Sequence, residues 1–163
     1  MSVFSPFLRK WIFRIHDDNS YLSASPKPAK NPASAKEDFA RIFQEDVPSA
    51  PSSHSLSESD QKRFAALWPA GEHEALARLE KFSVEKIHDY ATHRSEPASD
   101  ATSCLSVHLS QGTLSARTCI LLARASNTSN RLDKGKPGIV SWVSEVAWRD
   151  FYRRMCPPKF SID

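Results

Sequence analysis

The 163-residue sequence predicts an all-α fold. Its apolar residues recur at intervals of three and four, and no stretch alternates apolar and polar residues as a strand would. Serine, proline and glycine punctuate the periodic stretches where helices start and stop.

The elements follow in order. Phe4, Phe7, Leu8, Trp11, Ile12 and Ile15 form one wide apolar stripe, predicting a helix over 6–16 with Ser5 as cap and Pro6 in the first turn. A stripe that wide wants a partner surface. Residues 17–57 hold Pro26, Pro28, Pro32, Pro48 and Pro51 among many serines and alanines, the composition of a linker. Within it only a short helical island, Ala35 to Phe43, is expected, so 17–34 and 46–57 should lack regular structure. A second amphipathic helix runs from Glu58 to Trp68 and is stopped by Pro69 and Gly71. A third runs from Glu72 to His93, with Leu76, Leu79, Phe82, Ile87 and Tyr90 as its core side. A polar stretch, 96–106, leads to a short helix at Leu105 to Leu109, broken by Gly112. Ser115 caps a helix over 116–125. After a polar loop, 126–136, a last helix spans 138–155 with Ile139, Val143 and Val146 on one side, ending before Pro157-Pro158.

Composition excludes several classes. The net charge of +3 and a pI near 8.8 permit a nucleic-acid partner without requiring one. Cys104, Cys119 and Cys156 are odd in number and widely spaced, which suits free thiols in a reducing compartment rather than a disulfide framework or a CxxC site. The six histidines show no ligand spacing, so no metal site is expected. No apolar run approaches the ~20 residues of a membrane helix, and Arg9, Lys10 and Arg14 interrupt the start too often for a secretory signal. The acid-free first sixteen residues suit a buried amphipathic helix, with a mitochondrial presequence as the alternative.

Three groups of residues carry chemistry. Thr102-Ser103-Cys104-Leu105-Ser106 presents hydroxyls and backbone N–H groups at a helix start, either as a phosphate-holding loop or as an ordinary serine-capped helix. On the last helix Trp142, Glu145, Trp148, Arg149 and Tyr152 share a face of indoles, a carboxylate and a guanidinium. Such a face can stack on a flat ring and bind phosphate, or be an amphipathic face with buried tryptophans and a solvated ion pair. Tyr90 and Arg94 lie one turn apart and point the same way, as ligand contacts or as a half-buried tyrosine beside a snorkelling arginine.

In this order the segments resemble the DNA photolyase/cryptochrome family. The resemblance begins at Val3-Phe4-Ser5-Pro6-Phe7-Leu8-Arg9-Lys10-Trp11 and resumes at Trp68-Pro69-Ala70-Gly71-Glu72-His73-Glu74-Ala75, with Arg78-Leu79, Phe82, Tyr90 and Arg94. It continues through Thr102 to Ser106, His108-Leu109-Ser110, Gly112 and Leu114-Ser115-Ala116-Arg117, then Trp142, Glu145 and Trp148-Arg149-Asp150-Phe151-Tyr152. It covers nearly all of the chain outside the linker and residues 126–136. Val107 and Gln111 depart from it.

The resemblance implies a partial helical flavin-binding domain of photolyase type behind a Pro/Ser-rich linker. Residues 1–16 would be the terminal helix of an antenna domain, 17–57 the linker, and 58–163 the N-terminal part of the flavin-binding domain. It implies that Tyr90, Thr102, Ser103, Cys104, Leu105, Ser106, Trp142 and Arg149 bind flavin adenine dinucleotide, one per complete protein, with no antenna pigment on this chain. It implies that Glu145 and Trp148 are the catalytic residues facing the damaged pyrimidine pair, and that Arg94 and Tyr152 join them in binding DNA. In that family the photoexcited reduced flavin gives an electron to a flipped-out cyclobutane dimer, which splits and returns it. Further helices complete the flavin site in the family, so this chain is expected to bind flavin weakly or not at all, to repair nothing alone, and to leave the stripe on residues 4–15 open. A cryptochrome-like signalling module without repair is the alternative. Either role implies the nucleus or cytoplasm, or the mitochondrion if the start is a presequence.

Overall fold

The structure is a computed structural model that describes residues 3–46, 48–49 and 51–155. The thiol expected at Cys156 and the stop at Pro157-Pro158 lie outside the described residues. Among those residues all regular structure is helical. The α-helices are α1 (Phe4–Asp17), α2 (Ala35–Asp38), α3 (Ala40–Gln44), α4 (Glu58–Leu67), α5 (Glu72–Glu85), α6 (Tyr90–His93), α7 (Ser106–Gln111), α8 (Ala116–Ser126) and α9 (Pro137–Met155). Single 3₁₀ turns occur at Asn19–Leu22 and Ser52–His54. None of the helices is long and apolar enough to cross a membrane.

The chain forms two compact units, one from residues up to Ser23 and from Pro69 onward, the other from Ala24–Trp68. These units group the residues otherwise than the three segments that the resemblance implies. Helix α1 belongs with the C-terminal part because its stripe has a partner: Phe7 meets Phe151 edge-on at 5.3 Å and packs with it against α9. Phe7, Ile12 and Ile15 are buried, so the expectation of an open stripe is corrected. Helix α4 groups with the Pro/Ser-rich segment, and none of its residues is buried.

Helix α9 is the axis of the first unit, packed against α1, α6 and α8. Ile139, Trp142, Val143, Val146 and Ala147 line its buried side. Three local departures from expectation have physical causes. Proline at the third position of α1 needs no N–H partner, so the helix starts before Ser5; Val3 takes the cap position without a side-chain bond. Leu76 is 39% exposed because Ala75, Leu79 and Phe82 take the inner face of α5. The third helix stops at Glu85, where the N–H groups of Lys86 and Ile87 both donate to the Phe82 carbonyl at 3.0 Å, before α6 resumes at Tyr90. The break drives Ile87 into the core and turns the carbonyls of Ile87 and His88 toward the start of α9. A Cβ on Gly138 would stand 2.1 Å from the Ile87 oxygen and 2.4 Å from that of His88, so only glycine fits there.

The segment after α1 is also more ordered than its composition suggests. Leu22 is buried, and the 3₁₀ turn carrying it is tied to α8 by Arg117 Nε donating to the Tyr21 carbonyl and Arg124 Nη1 donating to Asn19 Oδ1. The island read as Ala35 to Phe43 is two short helices that meet at Phe39. Ser115 caps α8 as expected, accepting from Thr118 N at 3.1 Å, and Gly112 ends α7 in the left-handed region with φ 78°. In the polar loop Asn127 acts as a hub: its amide donates to the carbonyls of Arg131 and Lys134, and its oxygen accepts from Thr128 N and Lys136 N.

That loop is also bound to α1, because the Leu132 N–H donates to His16 Nε2 at 3.2 Å. An accepting nitrogen must be unprotonated. Burial, then the nearby Arg124 and Arg131, holds the His16 pKa below its ordinary 6.5, with Asp133 opposing. The unfolded chain therefore takes this proton first as pH falls. Stability from this contact is full above pH 6.5 and is lost as pH falls through the lower folded-state value. Thermal melts across pH 7.5 to 5 should show this decline, and His16→Gln should flatten it; an identical slope in the variant would refute the assignment.

Candidate functional site

The candidate site sits where α6, α7 and the inner half of α9 meet. A cavity of about 570 Å³ is bordered by Tyr90, Ser103, Ser106, Trp142, Glu145 and Arg149, with Leu109, Ser110, Val146 and Arg153 completing the wall. Tyr90 opens α6 and is buried, its ring edge-on to Phe82 at 5.8 Å, and Trp142 leans on the same Phe82 at 5.1 Å. Burial, and then the Glu145 carboxylate, raises the Tyr90 pKa, with Arg94 opposing, so the phenol keeps its proton and can donate it. Arg149 has two anchors: Nη1 donates to Asp150 Oδ1 and Nη2 to the Leu109 carbonyl, both at 3.2 Å.

The hydroxyl loop divides. Ser103 and Ser106 border this cavity, whereas Thr102 and Cys104, with Ser103 again, border a second cavity of about 360 Å³ against Arg78, Lys81 and Lys86. Leu105 is 1% exposed and belongs to the core, and it borders neither cavity. The N-cap position of α7 is Leu105, which makes no side-chain cap bond. Cys104 has φ 50°, a left-handed conformation uncommon for a residue with a side chain, and its Sγ lies 3.4 Å from Thr102 Oγ1. Cys104 and Cys119 are free thiols; burial pushes Cys119 up to about 11 and keeps it protonated.

Glu145 links the main cavity to a neighbouring one of about 430 Å³, which it borders with Arg94 and Trp148. Arg94 pairs with Glu145 and donates to Ser141 Oγ at 3.2 Å, so it reaches across to α9. Trp148 does not border the main cavity. Its ring is stacked on Phe4 at 3.5 Å with an 8° interplanar angle, and Tyr152 stacks with it at 5.4 Å. The structure thus brings Tyr90, Ser103, Ser106, Trp142, Glu145 and Arg149 together and sets Trp148, Tyr152, Thr102 and Cys104 apart.

Sequence reasoning missed Asp150, Trp11 and Phe4, which hold the α9 residues in place. Trp11 Nε1 donates to Asp150 Oδ2 at 3.1 Å across 139 positions. All three stand in the segments that carry the resemblance, but the apolar stripe marked Trp11 and Phe4 simply as packing residues, and Asp150 was marked only by its place beside Arg149.

No family profile matches the chain. Individual proteins do. It is 47% identical over 154 residues to the deoxyribodipyrimidine photo-lyase of Neurospora crassa, covering 94% of this chain and 25% of that protein. The enzymes of the same name from Salmonella typhimurium and Escherichia coli are 36% and 30% identical, each covering 94% of this chain and 29% of the relative. The all-helical architecture of the described residues is that of a helical photolyase-type segment. The chain belongs to the deoxyribodipyrimidine photolyase family and spans between a quarter and a third of the length of these curated relatives.

Proposed function

We propose that this segment supplies one wall of the flavin site, and part of the lesion-reading surface, of a light-driven lyase that splits cyclobutane pyrimidine dimers in DNA. The observation that carries it is the single cavity on which Tyr90, Ser103, Ser106, Trp142 and Arg149 converge. Its volume lies in the usual range for cofactor sites, and its donors suit a phosphate-bearing aromatic molecule. The Ser103 and Ser106 hydroxyls and the Arg149 guanidinium would hold the phosphates of flavin adenine dinucleotide, and Trp142 and Tyr90 its flat parts. When bound and reduced, that cofactor supplies the electron for dimer cleavage. Glu145, held by Arg94, would accept hydrogen bonds from a base at the border of the two cavities. Trp148 would stack on the flipped-out pyrimidines, with Tyr152 beside it and Arg94 toward the DNA backbone. In that role the protein acts in the nucleus or cytoplasm, or in the mitochondrion.

A flavin-binding signalling module is the competing reading. The stacking of Phe4 on Trp148 favours it, because a ring already stacked is not free to take a base. Light-dependent loss of dimers from an oligonucleotide, assayed with this segment inside a complete photolyase framework, separates the two.

By itself the chain offers a planar cofactor few apolar groups, chiefly Leu109, Trp142 and Val146. Apolar burial should then be too small for tight binding, and the dissociation constant is expected to be weaker than about 10 µM. Titration of flavin adenine dinucleotide into the purified chain, followed by flavin fluorescence, checks this. Micromolar or tighter binding with light-dependent repair would sink the expectation.

A further inference from the structure

Arg149 and Asp150 are consecutive on α9, and consecutive helical side chains point about 100° apart, so they do not face each other by default. Here they nevertheless bond, Nη1 to Oδ1, and the other carboxylate oxygen is held by the Trp11 indole of α1. Both side chains are largely covered, at 28% and 37% exposed. The second anchor of Arg149, the Leu109 carbonyl, comes from α7. Its guanidinium is therefore fixed from two sides, and it borders the cavity that Tyr90 and Trp142 also line.

We propose that Trp11 and Asp150 are positioning residues for Arg149. The α1 indole orients the Asp150 carboxylate, which holds the guanidinium in the cavity wall with its remaining N–H donors free for the phosphate oxygens of a dinucleotide cofactor. The phosphate role rests on the flavin reading of the cavity; the positioning rests on the hydrogen bonds alone. Loss of the indole N–H lets the carboxylate turn to solvent, and Arg149 then keeps only its bond to Leu109 and can swing about it. Helix α1, far from the cavity in sequence, thereby sets the geometry of one of its charged groups.

The test uses the whole chain and Trp11→Phe, which keeps an aromatic ring but removes the donor. The first readout is ¹⁵N NMR of the Arg149 side chain, where rotation about the Nε–Cζ bond should be several-fold faster in the variant. The second is titration with flavin adenine dinucleotide, whose dissociation constant should rise about threefold to tenfold, the effect of one hydrogen bond. That increment should vanish in an Arg149→Ala background. Unchanged rotation, or an affinity loss that persists without Arg149, overturns the proposal, because Trp11 would then act through packing alone. Faster rotation with an unchanged dissociation constant would sustain the positioning role and reject the phosphate role of Arg149. Should Trp11→Phe fail to fold, Asp150→Asn carries the same rotation measurement.

Discussion

Gly138→Ala is expected to lower the folding free energy by about 2–3 kcal/mol, the cost of forcing a methyl group into a packed site. Two effects oppose each other. Alanine favours a helix over glycine by ~1 kcal/mol, and less at a first turn. Against this, the new Cβ would stand 2.1 Å from the Ile87 carbonyl oxygen and 2.8 Å from the His88 carbonyl carbon. These are backbone atoms, so no flexible side chain can swing aside. The turn at 86–89 must shift, carrying α6 with Tyr90 and Arg94. Urea unfolding should show a lower midpoint at unchanged slope. Gly112→Ala is the control, because its φ of 78° meets open space and should cost only the ~1 kcal/mol of a strained conformation. Equal losses for the two variants would refute the steric account.

Trp148→Ala is expected to weaken binding of dimer-containing DNA by ~1–3 kcal/mol more than binding of undamaged DNA. The measurement needs a chimaera in which this segment replaces its counterpart in the Neurospora crassa relative. Phe4 makes the result informative, because truncating the indole also removes a 3.5 Å stack with a neighbouring ring. That packing loss acts on folding and should affect both DNAs alike, whereas a lesion contact affects only one. Phe4→Ala separates the roles further: if Trp148 stacks on a lesion, exposing its ring should leave dimer binding intact or tighten it. Parallel losses for both DNAs in Trp148→Ala would assign the indole to packing.

Most of the helices were legible because their signals are local. Ser115 caps α8, Gly112 stops α7, and the spacing of Ile139, Val143 and Val146 identifies the buried side of α9. The break between α5 and α6 was not legible, because residues 86–89 contain neither proline nor glycine. What meets it is tertiary: Gly138, about fifty positions away, admits the carbonyls of Ile87 and His88. The site was legible at the level of residue types, and Tyr90, Ser103, Trp142 and Arg149 do share a cavity. A face drawn on a single helix could not show that Trp148 turns toward Phe4, or that Leu105 points inward, since both depend on elements packed from elsewhere.

The return of α1 to α9 makes residues 24–68 an insertion whose two ends join one folded body. The entropy of closing a flexible stretch grows only logarithmically with its length, so doubling such a stretch costs about 0.6 kcal/mol. Length and composition there can drift under weak selection, while a shift of register in α1 would displace both Phe4 and Trp11 at once. A protease cut inside the insertion would make α1 a separate ligand of the remaining body, retained only by its own affinity, and the hold on Arg149 would become dependent on concentration.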